Sequence, residues 1–146
     1  MLCPALKIRP RWLRLMRRGH KTAEVRKYRP EKIFLRRQPE VTVGMRICLV
    51  GRGEVWGSAI IDGVREYDSV SLETDGRHCL GHDEKTFTDA RKRVANGEDL
   101  YAWDLSSFLW HNDARRPKSG EGIPEFKGQK HGQVWTSQPI PCDLNE

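Results

Sequence analysis

The segment "GHKTAEVR", Gly19–Arg26, places one acidic residue among basic neighbours, directly after a helix stop signal. From its fourth residue onward the side chains alternate, with Ala23 and Val25 on one side and polar residues on the other. This alternation predicts a short, half-buried β-strand. On such a strand Glu24 and Arg26 lie on the same face.

The residues before this segment predict a strand followed by a helix. A short strand is expected at Ala5–Ile8, and Pro10 suits a first helical turn, where its missing N–H has no intrahelical partner. Gly19 stands where a C-cap glycine is expected. Apolar residues give the helix one buried side, namely Trp12, Leu13, Leu15 and Met16.

The rest of the chain predicts further strands and one more helix. We expect a basic connecting loop over residues 27–43, an irregular stretch over 68–82 and a loop over 111–122. Strands are predicted at Met45–Gly51, Glu54–Val64, Tyr101–Trp110 and Gln133–Ser137, and a helix at Asp83–Asn96. Gly57 and Gly63 are expected to bulge or bend their strand.

Five to six mainly antiparallel strands with two main helices indicate an α+β fold. Closure into a small β-barrel would remove the exposed sheet edges. The length of 146 residues suits a single domain over residues 1–146. Its core is expected at about 5–137, with a C-terminal tail over 138–146.

The charge is distributed unevenly along the chain. Residues 1–46 hold 14 Lys and Arg against three Glu, a net charge of +11, whereas residues 47–146 carry a net charge of −5. Such asymmetry predicts one positively charged face and a polyanionic partner, a nucleic acid rather than a membrane. The alternative is that these side chains only keep the protein in solution.

Several classes of protein are disfavoured by what the sequence lacks. It has no apolar run of about 20 residues for a membrane span, and no secretory signal pattern. A cytoplasmic location is therefore expected, with the four scattered cysteines as reduced thiols. Phosphate-loop, serine-hydrolase and zinc-protease motifs do not occur. The polar stretch His78–Glu84 has no second Cys/His cluster to complete a zinc site, so neither a metal nor a cofactor is predicted.

The segment resembles a known family. It matches the Gly-x-Lys-x-x-Glu-x-Arg signature of the ASCH superfamily at Gly19, Lys21, Glu24 and Arg26. Flanking segments are similar too: "LKIRPRWLRLMRRG" to the family's first strand and helix, "YAWDLSSF" to its penultimate strand, and "FKGQKHGQVWT" to its closing turn and strand. The resemblance implies a PUA-like β-barrel with a cleft lined by the signature residues. It also implies binding of RNA or a nucleotide.

The residues of the signature suit either binding or catalysis. Burial would lower the pKa of Lys21, so that it could exchange a proton, Glu24 could activate a hydroxyl, and Arg26 could hold a phosphate. By resemblance the enzymatic alternatives are a metal-independent ribonuclease or an amidohydrolase of acylated cytidine. The second is weakened because Glu24 occupies the position of that group's threonine. A protein-interaction adapter and a purely structural ion-pair network remain further alternatives.

Two sets of residues are predicted to contact a ligand, one that binds a base and one that contacts phosphates. The ligand-binding residues are Arg9, Trp12, Lys21, Glu24, Arg26, Lys130 and Trp135, with Trp12 as a stacking wall for a base, whereas Trp56 and Trp110 are assigned to the core. A phosphate-contacting rim is expected from Arg11, Arg14, Arg17, Arg18, Lys27, Arg29, Arg36 and Arg37.

Overall fold

The computed structural model describes residues 2–30, 41–115 and 140–141. Within these residues the elements are, in chain order, β1 (Leu2–Cys3), β2 (Ala5–Lys7), α1 (Pro10–Arg17), β3 (Ala23–Arg26), β4 (Arg46–Gly51), β5 (Glu54–Glu66), α2 (Ser69–Thr74), α3 (Gly76–Leu80), α4 (Glu84–Ala95), β6 (Tyr101–Arg115) and β7 (Ile140–Pro141). The predicted strand at Gln133–Ser137 lies outside the described residues. The single-domain organisation therefore stays a prediction.

Five strands form one curled sheet in the order β2-β4-β5-β6-β3. Only the β2–β4 pair is parallel among the pairs of this described sheet. The two edge strands approach each other, because Arg26 Nη2 of β3 donates a hydrogen bond to the Lys7 carbonyl of β2 at 2.9 Å. The described strands form a curled half-barrel, and the predicted α+β fold, a small PUA-like β-barrel of mainly antiparallel strands, is confirmed.

Bulges allow the long strands β5 and β6 to curl. The β5–β6 register shifts between Val55 and Gly57, between Ser58 and Ile60, and between Ile61 and Gly63. An extra residue on one strand increases the local twist and bends the sheet. The bulges expected at Gly57 and Gly63 are therefore confirmed.

The core has two main parts, one on each side of the sheet. One buries α1 through Leu13 and Met16 against the sheet, with Trp103 of β6 among its fully buried side chains. The other packs α2, α3 and α4 against Ala23 and neighbouring sheet residues. Trp56 and Trp110, which were assigned to the core, pack against the first part while partly buried.

Two local predictions are wrong. The stretch over residues 68–82 is not irregular, since it forms α2 and α3, and the Asp68 side chain caps α2 by accepting from the Ser71 N–H at 3.0 Å. Strand β6 does not end at Trp110, because its continuation to Arg115 pairs with the start of β5. Within the predicted tail, Ile140–Pro141 pairs with β1. Pairing partners so distant in sequence leave no local pattern.

The cysteines differ from one another. Cys3 is disulfide-bonded, whereas Cys48 and Cys79 are free thiols. The expectation of reduced thiols throughout is therefore wrong for Cys3. Cys3 lies on β1, which pairs with β7 far along the chain, and the spacing of the cysteines does not reveal this pairing.

Among the described residues, none of the helices has the length and apolar character needed to cross a membrane.

Candidate functional site

A tight turn between α1 and β3 brings the signature residues close together. Helix α1 ends at Arg17 and is followed by Gly19, whose φ of 79° favours glycine over residues with a side chain. The chain then reverses, and Lys21 forms an isolated antiparallel bridge with Leu80 at the end of α3. The Thr22 N–H donates to the Cys79 carbonyl at 2.7 Å, so the entry to β3 is held against α3 on one side. Pairing with β6 holds β3 on its other side.

Lys21 is buried and its amine is largely occupied. Only 3% of the residue is exposed, and Nζ donates to the Ala23 carbonyl at 2.7 Å and to the Leu80 carbonyl at 2.6 Å. Burial lowers the pKa of Lys21, while the negative charge of Glu24 partly offsets that effect. An ammonium group has three N–H donors, so these two carbonyls leave one N–H of Lys21 unused. Nζ lies 3.9 Å from Glu24 Oε2.

Glu24 and Arg26 form the second half of the arrangement. Glu24 is 7% exposed, and its Oε1 lies 3.5 Å from Arg26 Nε. At this distance the two make an ion pair, but Glu24 Oε2 and Arg26 Nε are both buried without a hydrogen-bond partner in the part of the chain described. A buried polar atom without a partner costs about 1–3 kcal/mol, so folded proteins rarely keep two adjacent ones. The pair therefore keeps unused hydrogen-bonding capacity at these two atoms.

A cleft of about 510 Å³ opens over these residues. Its lining includes five of the seven predicted ligand-binding residues, namely Arg9, Trp12, Lys21, Glu24 and Arg26. The ring of Trp12 lies 5.4 Å from Lys21 Nζ, measured to the ring centroid, and forms one wall. The other two predicted residues, Lys130 and Trp135, lie outside the described residues.

The predicted rim divides into two groups. Arg11 and Lys27 line the cleft, whereas Arg14, Arg17, Arg18 and Arg29 are exposed and do not. Arg17 donates instead to the backbone carbonyls of His111 and Asn112 on β6. Successive helix positions differ in direction by about 100°, so the arginines of α1 cannot all face one ligand. Arg36 and Arg37 lie outside the described residues.

The wall opposite Trp12 comes from α4, which our sequence analysis did not assign to the site. Lys85, Asp89 and Arg93 line the cleft at intervals of four residues and therefore share one helix face. Asp83 caps this helix by accepting from the Thr86 N–H at 2.7 Å, and it pairs with Arg11 Nη1 at 3.3 Å. The spacing was visible in the sequence, but nothing in the sequence indicated that this face lies across β3.

His82 belongs to the polar stretch His78–Glu84, which our sequence analysis considered only as a zinc site and did not assign to the cleft. It lines the cleft, its ring contacts Tyr67 and Phe87, and its buried Nδ1 has no hydrogen-bond partner among the described residues. Burial, together with the positive charge of Lys21, lowers the pKa of His82 to about 4. The imidazole is therefore neutral at physiological pH.

This lowered pKa predicts a loss of stability in mild acid. Between pH 6.5 and about 4 the unfolded chain protonates His82 while the folded protein does not, so the free energy of unfolding falls as the pH falls through that window. After a reduction for partial solvent exposure we expect a loss of about 1–2 kcal/mol. Urea unfolding at a series of pH values should show that His82→Gln removes this component. His20→Gln, at an exposed histidine, should keep the wild-type profile, and an unchanged profile for His82→Gln would contradict the assignment.

Comparisons with known proteins bear on the fold. No protein-family model and no curated protein sequence matches the chain. The solved structure of ASCH from Zymomonas mobilis is similar, with a TM-score of 0.61 at 20% identity over 91% of this chain and 85% of that chain. A point variant of that protein gives a TM-score of 0.61 at 19% identity, over 91% and 87%. The hypothetical protein PH0355 gives a TM-score of 0.50 at 17% identity, over 72% and 97%. The resemblance to the ASCH domain is thus confirmed at the level of the fold.

Proposed function

We propose that this chain with the ASCH-domain fold binds single-stranded RNA, or a nucleotide of it, in the cleft beside β3. The observation that carries the proposal is the Glu24–Arg26 pair, which is buried, incompletely hydrogen-bonded and placed at the cleft. A role in cytoplasmic RNA metabolism belongs to the same proposal.

The chemistry of the pair suits the edge of a nucleobase. A carboxylate accepts hydrogen bonds and a guanidinium donates them, so together they complement a base that presents an amino group beside an acceptor. Unpaired bases of single-stranded RNA expose such edges and stack on aromatic rings. Trp12 provides a ring at the same cleft.

The charges around the cleft suit a phosphodiester chain. Seven basic side chains line it against three acidic ones; the basic ones are Arg9, Arg11, Lys21, Arg26, Lys27, Lys85 and Arg93. Cations that neutralise phosphates release condensed counterions, so affinity falls as salt rises. Lys21 and Arg26 are held by internal contacts, and Arg11 pairs in part with Asp83. The remaining donors of Arg11 and the side chains of Arg9, Lys27, Lys85 and Arg93 are left for phosphates.

The experiment is fluorescence anisotropy with a labelled, mixed-sequence single-stranded RNA at 50 and 200 mM salt. Trp12→Leu is expected to weaken binding about tenfold, because stacking of one base contributes about 1–3 kcal/mol. Glu24→Gln should also weaken RNA binding, because the two acceptor oxygens of the carboxylate are no longer both present. Arg93→Gln, which removes a cation of the cleft, should reduce the salt slope by about 0.7. Arg14→Gln, on the exposed part of α1 outside the cleft, is the matched control.

The other possible results either contradict the proposal or favour one of the alternative functions. Wild-type affinity for Trp12→Leu, or equal effects of Arg93→Gln and Arg14→Gln, would contradict the proposal. RNA affinity too weak to measure would favour the protein-interaction adapter. The same samples, run on a denaturing gel after incubation without metal, reveal any cleavage. Cleavage by the wild type that Glu24→Gln abolishes would support the ribonuclease alternative.

A further inference from the structure

A second hollow lies beside the cleft. It has a volume of about 460 Å³ and is walled by Trp12 and Leu15 of α1 and by the turn at Gly81. The two spaces adjoin each other, because Arg11, Trp12, His82 and Asp83 line both of them. The second hollow contains none of the buried charges of the first, so its chemistry is different.

Gly81 packs closely against α1 at the edge of this hollow. Its φ of 69° favours glycine over residues with a side chain, and an added Cβ would lie 3.0 Å from both Leu15 Cδ1 and Lys21 Cδ and 3.2 Å from Trp12 Cε3. A side chain at this position would therefore displace these neighbours and change the shape of the hollow. The surface of the hollow, apolar and bounded by an indole ring, suits a flat ring that carries no charge.

A cation stands where the two spaces meet. The guanidinium of Arg11 lies 4.0 Å from the centroid of the Trp12 ring. It also contacts Asp83 Oδ2 and Thr86 Oγ1, each at 3.3 Å. Its side chain is 49% exposed, and a guanidinium has five N–H donors, so donors remain available to an anion at the junction.

We propose that the second hollow binds the base of an adjacent nucleotide, so that the site recognises two consecutive nucleotides of single-stranded RNA rather than one. The first base lies against Glu24 and Arg26, the second lies between Trp12 and Leu15, and the phosphodiester that links them contacts Arg11. The inference rests on the proposed function and specifies its ligand. The four lining residues shared with the cleft and the position of the cation favour a linked nucleotide over an unrelated apolar ligand.

The test is isothermal titration calorimetry of the full chain with short ribonucleotides. The four nucleoside 5′-monophosphates are titrated first, followed by the 5′-phosphorylated homodinucleotide of the tightest binder. The dinucleotide is expected to bind at least about fivefold more tightly, the lower limit for one additional stacked base. A dinucleotide whose second residue is abasic retains the phosphate and is expected to lose most of this gain.

A variant shows whether the gain in dinucleotide affinity arises in the second hollow. Leu15→Trp fills the second hollow without changing charge, and it should bring the dinucleotide affinity down to that of the mononucleotide. The mononucleotide affinity should stay within about twofold, since base stacking in the first space is not altered. Leu109→Trp, at an exposed leucine of β6, is the control and should keep the full gain. The wild-type comparison with the abasic ligand needs no variant and therefore does not depend on how Leu15→Trp folds.

The outcomes separate this inference from the proposed function. Mononucleotide binding without a gain for the dinucleotide would overturn the inference and leave the proposed function standing. Equal affinity for the abasic and complete dinucleotides would also overturn it, because the gain would then come from the phosphate. Failure of every nucleotide and of the long RNA to bind would overturn the proposed function itself.

Discussion

Replacing Lys21 with methionine is expected to lower the free energy of unfolding by about 3–5 kcal/mol, the cost of removing one partner from a buried ion pair. Methionine fills nearly the same space, so packing is preserved. The carbonyls of Ala23 and Leu80 lose the donor that joins β3 to α3, and Glu24 loses one of its two cations. Urea unfolding monitored by tryptophan fluorescence measures the change. Lys27→Met, at an exposed cation next to β3, should stay within about 0.5 kcal/mol of wild type.

A double-mutant cycle shows whether the cost comes from charge. Lys21→Met combined with Glu24→Gln removes both charges of the pair, so the double variant should be less destabilised than the sum of the single changes by about 0.5–3 kcal/mol. Strict additivity would show that Lys21 acts only through its two carbonyl hydrogen bonds. A single Lys21→Met variant within about 1 kcal/mol of wild type would contradict the prediction, because buried ion pairs lose more than this when one partner is removed.

Replacing Gly57 with alanine is expected to cost at least about 3 kcal/mol, at the upper end of what overpacking produces. An added Cβ would lie 2.2 Å from the Leu109 carbonyl oxygen and 2.9 Å from Trp110 Cε3. The first of these atoms belongs to the backbone, so β5 and β6 would have to separate at their bulge. Loss of β5–β6 contacts would open the half-barrel.

Gly63→Ala provides the matched control on the same strand. Apart from its two chain neighbours, no described residue has an atom within 4 Å of a Cβ added there. Its free energy of unfolding should therefore stay within about 0.5 kcal/mol of wild type. Thermal and urea unfolding of both variants measure the difference, and equal stabilities for Gly57→Ala and Gly63→Ala would contradict the close approach of β5 to β6.

The sequence predicted the parts of the fold that depend on neighbouring residues. The helix that begins at Pro10, the glycine stop at Gly19 and the strand that follows were all expected, since caps and alternation are properties of a few consecutive residues. The bulges of β5 were expected from its glycines for the same reason. Local signals were insufficient for α2 and α3, which are short and depend on packing against α4 and β3.

The candidate site also has one part that the sequence predicted and one part that it did not. The grouping of Lys21, Glu24 and Arg26 follows from their spacing on and before one strand, and this much was visible in the sequence. The predicted polar face of that strand does not point into open solvent, because the side chains of Glu24 and Arg26 are only 9% and 18% exposed. That burial is produced by elements distant in sequence.

The sequence alone thus determined a strand with a lysine, a glutamate and an arginine at its start, a helix that carries Trp12 before it, and an excess of positive charge in the first third of the chain. Only the tertiary structure decided that α4 forms the opposite wall, that Arg17 contacts β6 rather than the cleft, and that a second hollow adjoins Trp12. The physical reason is that alternation, capping and charge act between neighbouring residues, whereas a cleft forms between surfaces brought together by burial of side chains from distant segments.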